Sequence, residues 1–186
     1  MAIINNCGYE NPSYSHFTSM TYWHTAAPNS GEKLGWLGRL ADSNFTNTKN
    51  AIVNIDKKQS LAVRSSQHVP LVFDDPGKFV QRADYNSSPI LKINSSLNIS
   101  SNKNQKFLRQ VSNNTQSASN KIIEAWKKYK QLTDYGIAPL DLNKISALIK
   151  DRFPAKIYYT SFRNNAFDTH VQQNNLHNRL LSYASD

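Results

Sequence analysis

The stretch FDTHVQQNNLH, residues 167–177, holds the densest set of side chains able to do chemistry, because it brings Asp168, His170 and His177 close together in the chain. Asp168 and His170 supply a carboxylate oxygen and an imidazole nitrogen, a ligand mixture that suits zinc, manganese or iron; calcium and magnesium favour oxygen alone. Two ligands do not complete a metal shell. Asp168 is also a good N-cap for a following helix, and its charge suits a helix N-terminus. His177 lies seven residues after His170, which in one helix is two turns or about 10 Å of rise, too far to share an ion. It therefore orients its neighbours or packs beside Leu180 and Leu181. Gln173 is either a hydrogen-bond partner behind a metal ligand or a surface amide.

These residues need elements to hold them. KIYYTSF (156–162) has the β-branched and aromatic content of a buried strand, and Leu176, Leu180, Leu181 and Tyr183 outline a closing helix. Before them, Leu142, Ile145, Leu148 and Ile149 mark one face of a helix that Asp141 can cap. AIINNCGY (2–9) reads as a strand, and 11–28 as a turn feeding a short helix that Pro28 ends. AIVNI (51–55), LAVRS (61–65) and PLVF (70–73) read as short strands. A Ser-, Asn- and Gln-rich stretch over 84–120 reads as an insertion, with a helix beginning after residue 104. The alternation predicts an α/β fold, a mostly parallel sheet flanked by helices, in one domain spanning 1–186. In such folds the functional groups collect just beyond the carboxyl ends of the strands.

The whole-chain figures set limits. At 186 residues and 39% hydrophobic, the chain supports one core. No apolar run is long enough to span a bilayer, and residues 1–20 lack the order of a secretory signal. Cys7 is the only cysteine, which excludes an intrachain disulfide and a thiolate metal cluster and reads as a small buried residue in a strand. Twenty-two Lys and Arg against 13 Asp and Glu give a net charge of +9, an attraction for phosphate- or sulfate-bearing partners. The distribution argues against a dedicated nucleic-acid surface. Its densest cluster, KKYK (127–130), shares a helical repeat with Ile122, Ile123, Trp126, Tyr129 and Leu132, which turns the lysines mainly to the solvated face.

Two long motifs carry a family resemblance. AIINNCGYENPSYSHFTSMTYWHTAAPNSGEKLGWLGRLAD and AFDTHVQQNNLHNRLLSYASD resemble the bacterial domain of unknown function 1501: a strand, Ser-His-Phe, a Trp-containing helix and Gly-Trp-Leu-Gly-Arg, then Phe-Asp-Thr-His, Gln, His and Leu-Leu. Ala166 departs from the family's usual Gly. The resemblance implies an alkaline-phosphatase-like or sulfatase-like fold, export of the full-length parent to the periplasm or beyond, and a metal-dependent phosphate- or sulfate-ester hydrolase-like site. It places Asp168 and His170 as metal ligands with Gln173 and His177 behind them. The family's Gly-Gly-x-Asp-Gly and Thr-Asp-His-Gly motifs do not occur here, so the expectation is an internal fragment, inactive alone and possessing an incomplete metal site.

By the same resemblance Ser15 is the candidate nucleophile, at a helix N-terminus whose backbone N–H groups stabilise an anion, with His16 beside it. An N-cap serine is the alternative. Arg39 is the candidate anion clamp, or else it bonds to a carboxylate or to helix-end carbonyls; Gly35 and Gly38 permit a tight approach of backbone, and Trp36 seals the core. The competing functional class is a non-catalytic exported scaffold that binds anionic polymers, glycans or a protein.

Overall fold

The computed structural model describes residues 8–77, 79, 103–131 and 141–161. In chain order these form α1 (His16–Thr25), α2 (Trp36–Asn44), β1 (Ile52–Ile55), a 3-10 turn (Leu61–Val63), β2 (Leu71–Phe73), α3 (Lys103–Lys128), α4 (Asp141–Lys150) and β3 (Ile157–Thr160). The strands make a parallel sheet in the order β2-β1-β3. The coarse α/β architecture is therefore present, with helices over both faces.

Strand β1, Ile-Val-Asn-Ile, is buried at every position and pairs on both edges: Val53 opposite Leu71 and Tyr158, Ile55 opposite Phe73 and Thr160. Alternation along a strand sends successive side chains to opposite faces, and two cores result. Val53 and Ile55 join Leu71, Phe73, Ala118, Ile122, Ala125, Leu148 and Phe153 beneath α3 and α4. Ile52 joins Ala41, Ala51, Val63 and Ile157 beneath α2 and the turn. Asn54 is the polar exception in β1; its Oδ1 accepts from the Ser60 N–H at 2.7 Å and fixes the exit of the chain.

Helix α4 ends in a Schellman motif. Arg152 is left-handed at φ 55°, its N–H donates to Ile149 O at 3.0 Å, and Phe153 N–H donates to Leu148 O at 2.9 Å. Phe153 and Leu148 meet in the core, the apolar contact that accompanies this cap.

Three sequence expectations change. LAVRS (61–65) is a 3-10 turn and not a strand: Ser60 Oγ accepts from Ala62 N–H, and Arg64 O accepts from Gly35 N–H at 2.9 Å, so this backbone bonds to α2's entrance instead of to a ladder. On α4 the buried face includes Asp141, Ala147 and Leu148, while Ile149 is 58% exposed. Asp141 lies inside the helix's first turn, its carboxylate turned toward β3. The helix expected to begin after residue 104 starts at residue 103, as α3. The expected strand at 2–9, apart from Gly8 and Tyr9, Cys7, Leu132, residues 84–102 and the closing helix lie outside the described residues.

The Gly-Trp-Leu-Gly-Arg run explains its own glycines. A Cβ on Gly35 would fall far inside the carbonyl oxygens of Leu61 and Ala62, and one on Gly38 inside that of Arg64. Beyond the turn, the Asp42 carboxylate accepts from Ser65 Oγ, from Ser66 N–H at 2.9 Å and Oγ at 2.8 Å, and from Gln67 N–H at 3.1 Å. Burial alone pushes that carboxyl up, but these hydrogen bonds together outweigh it and hold it below the ordinary range.

Gly38→Ala is expected to cost about 3 kcal/mol or more, because the obstruction is backbone that cannot rotate away; urea denaturation measures it. Asp42→Asn is expected to cost about 1–2 kcal/mol, kept small by Asp42's partial exposure. A group with a lowered folded pKa contributes its stability above the unfolded value, near pH 3.9, and loses it as pH falls through the folded one. The wild-type midpoint should therefore fall toward that of Asp42→Asn in acid below about pH 4, when followed by thermal melts.

Candidate functional site

Of the chemistry-bearing residues predicted from sequence, Ser15, His16 and Arg39 lie among the described residues. Ser15 is the N-cap of α1, where its exposed Oγ accepts from Thr18 N–H at 3.4 Å. His16 is the first residue of α1 and is exposed. Arg39 donates from Nη2 to Thr25 O at 2.7 Å and from Nη1 to Leu34 O at 2.9 Å, and lies 3.5 Å from Glu32. Thr25 is the last residue of α1, so Arg39 closes the end of that helix remote from Ser15. A ten-residue helix separates its ends by about 15 Å, and the two groups do not reach one ester together. Trp36, expected to seal the core, is 45% exposed. Asp168, His170, Gln173 and His177 lie outside the described residues.

What the topology does gather is a second set of side chains, at the carboxyl edge of the sheet. The chain leaves β1 for β2 on one side and returns past it to β3 on the other. The carboxyl ends of β1 and β3 therefore stand at the switch in strand order, where open parallel sheets generally hold ligands. Asp56 follows β1, and its Oδ2 accepts from Ser161 Oγ, just past β3, at 3.0 Å. Its backbone N–H donates to Phe73 O at 2.9 Å, which fixes the carboxylate relative to β2 as well.

The other face of the same edge carries a buried ion pair. Lys144 Nζ is 2.8 Å from Asp141 Oδ1 and also donates to Asp74 O beyond β2; Thr160 Oγ1 donates to Asp141 Oδ2 at 2.9 Å. The side chains of Lys144 and Asp141 are 15% and 6% exposed. One pair thus joins α4 to the ends of β2 and β3. Thr160 and Ser161 are consecutive, and strand alternation turns one to Asp141 and the next to Asp56.

Among the described residues no three His, Cys, Asp or Glu side chains gather closely enough to hold a metal ion. Asp56 and Ser161 are hard oxygen donors, which by themselves fit part of a manganese-, magnesium- or calcium-type shell; a zinc or iron shell needs an imidazole beside them. Sequence reasoning missed Asp56 and Ser161, although an acid placed directly after a core strand was a visible signal. Asp141 was read only as a cap: Lys144, one turn on in the same helix, is a local partner, and Thr160 comes to it through the fold. Comparison of the chain with family models, with curated proteins and with solved structures gives no match.

Asp141→Ala leaves the Lys144 ammonium buried without its counter-charge, and a loss of about 3 kcal/mol is expected. Adding Lys144→Met should restore most of it, because the unpaired charge is then gone. Urea denaturation of both singles and the double variant checks this as a double-mutant cycle.

Proposed function

We propose that this chain is an α/β domain that binds a phosphate or sulfate ester with a divalent metal at the crevice between β1 and β3, in the manner of alkaline-phosphatase-like and sulfatase-like proteins. The observation that carries the reading is the Asp56–Ser161 contact of 3.0 Å at the carboxyl ends of two parallel strands, the place where such sheets present their chemistry. Asp168 and His170 follow Ser161 by seven and nine residues, so the sequence supplies a further carboxylate and an imidazole to the segment that leaves this rim. The net charge of +9 favours an anionic ligand. When bound, the ion supplies Lewis-acid polarisation of an ester oxygen. Asp56 anchors the site on β1, and Ser161 Oγ holds Asp56 in place.

The motif resemblance to the domain of unknown function 1501 supports the same chemistry, and its export and zinc, manganese or iron preference come with it as part of the proposal. Because the Gly-Gly-x-Asp-Gly and Thr-Asp-His-Gly motifs are not in this sequence, binding without turnover is the property assigned to the chain. One observation favours the second reading, a non-catalytic scaffold for anionic polymers, glycans or a protein: Ser15 and Arg39 already cap the two ends of α1.

The experiment is calorimetric titration of the purified chain with Mn²⁺ and Zn²⁺, followed by a chromogenic phosphate or sulfate ester. Saturable ion binding, weakened about tenfold or more by either Asp56→Asn or Asp168→Ala, is expected. A chain that takes up no ion, or takes it up equally well in both variants, overturns the metal site and leaves the scaffold reading.

A further inference from the structure

The opposite edge of the sheet contains a concavity. Loop 46–50 leads into β1, residues 67–69 lead into β2, and together with Leu71 and with Asn114 and Thr115 of α3 they enclose a cleft of about 410 Å³. Because the strands are parallel, both loops lie at the amino ends, away from Asp56 and Ser161. The volume falls within the range of small-molecule sites, about 300–1,000 Å³.

Its lining has a definite chemistry. Asn47, Gln67 and Asn114, from three separate segments, line it, and a side-chain amide carries a donor and an acceptor side by side. That arrangement matches adjacent hydroxyls on a ring, which need both at once. Lys49 also lines it, and among the described residues no carboxylate does; this balance favours an anionic substituent over a cationic one. Val69, 49% exposed, adds an apolar wall for a ring's C–H face.

The walls are held by bonds already formed. Asp42 fixes Gln67 through its N–H at 3.1 Å, and Ser65 Oγ accepts from His68 N–H at 2.7 Å. On the facing loop Thr48 N–H donates to Phe45 O at 2.8 Å, and Asn50 takes the left-handed φ of 56° that turns the chain into β1. A cleft fixed before the ligand arrives loses less on binding than one that must be ordered.

We infer that this amino-edge cleft binds a single sugar unit bearing one negative charge, with amides on the hydroxyls and Lys49 on the anionic group. The site is separate from the carboxyl-edge crevice and stands or falls without it.

The test is a ligand titration of the full chain, read by amide chemical-shift changes and calorimetry, in metal-free buffer so that the other site is silent. The probes are glucuronic acid, glucose 6-sulfate, glucose 6-phosphate, unsubstituted glucose and inorganic sulfate. Saturable binding of at least one charged sugar is expected, with glucose and inorganic sulfate each about tenfold weaker or more. The three charged sugars distinguish carboxylate, sulfate and phosphate as the anionic group. Lys49 is exposed, so Lys49→Gln keeps the fold and should weaken the charged sugar about tenfold; Asn114→Ala should weaken charged and neutral sugars alike. Binding of inorganic sulfate as tight as any sugar, equal affinity for glucose with no effect of Lys49→Gln, or no saturable binding of any probe to the folded chain would overturn the inference.

Discussion

Strand β1 is the constraint on which the described structure depends. Its four residues are buried on both faces and paired on both edges, so it has no exposed backbone to leave unsatisfied and no solvent face to relax toward. Both partners run parallel to it, and a parallel neighbour can be reached only by a crossover. The 3-10 turn with its flanking loops serves β2, and α3 and α4 serve β3. The crossovers cover the two faces, and alternation then divides the apolar residues: Val53 and Ile55 to one core, Ile52 to the other. Parallel direction also sorts polar residues by end, with Asp56, Asp74, Thr160 and Ser161 at the carboxyl edge.

On the α2 face the fit is decided by backbone meeting backbone. Gly35 and Gly38 allow α2 to lie directly on the carbonyls of residues 61–64, and Asp42 captures the next three residues with its carboxylate. Arg39, on the same helix, reaches the other way to the end of α1. Glu32 lies beside it and is held below the ordinary carboxylate range chiefly by the backbone N–H of Leu34, then by that of Lys33. One short helix thus ties α1, the turn and the approach to β2 into a layer. Among them Arg39 is the residue whose type also suggested anion chemistry.

How much of this could be read from the chain depends on whether the cause was local. The runs AIVNI, PLVF and KIYYTSF announce β1, β2 and β3 through β-branched and aromatic content, and ISALIK announces α4 through its repeat. LAVRS has the same strand-like content and fails as a strand because Gly35, about 30 residues upstream, takes its Arg64 carbonyl. Ile149 fits the helical repeat and yet is exposed, since the buried arc of α4 is set by where α3 and β3 lie. Asp56 was legible as an acid after a strand; its partner Ser161, 105 residues away, follows only from the strand order.

The two acids at the carboxyl edge are not independent, because neighbouring residues of β3 hold them. Thr160 donates to Asp141 and Ser161 to Asp56, on opposite faces of the sheet. Asp141 is nearly dry and neutralised by Lys144, which is anchored on Asp74 O. It therefore fixes the end of β3 without being free to bind anything else. Asp56 is more exposed, and its carboxylate accepts from Ser161 Oγ and from the Lys57 backbone N–H. The buried acid sets the geometry of this rim, and the more exposed one is where the proposed ligand would bind. That division follows from a single strand's alternation, and it makes the end of β3 the place where folding stability and the proposed ligand chemistry share the same backbone.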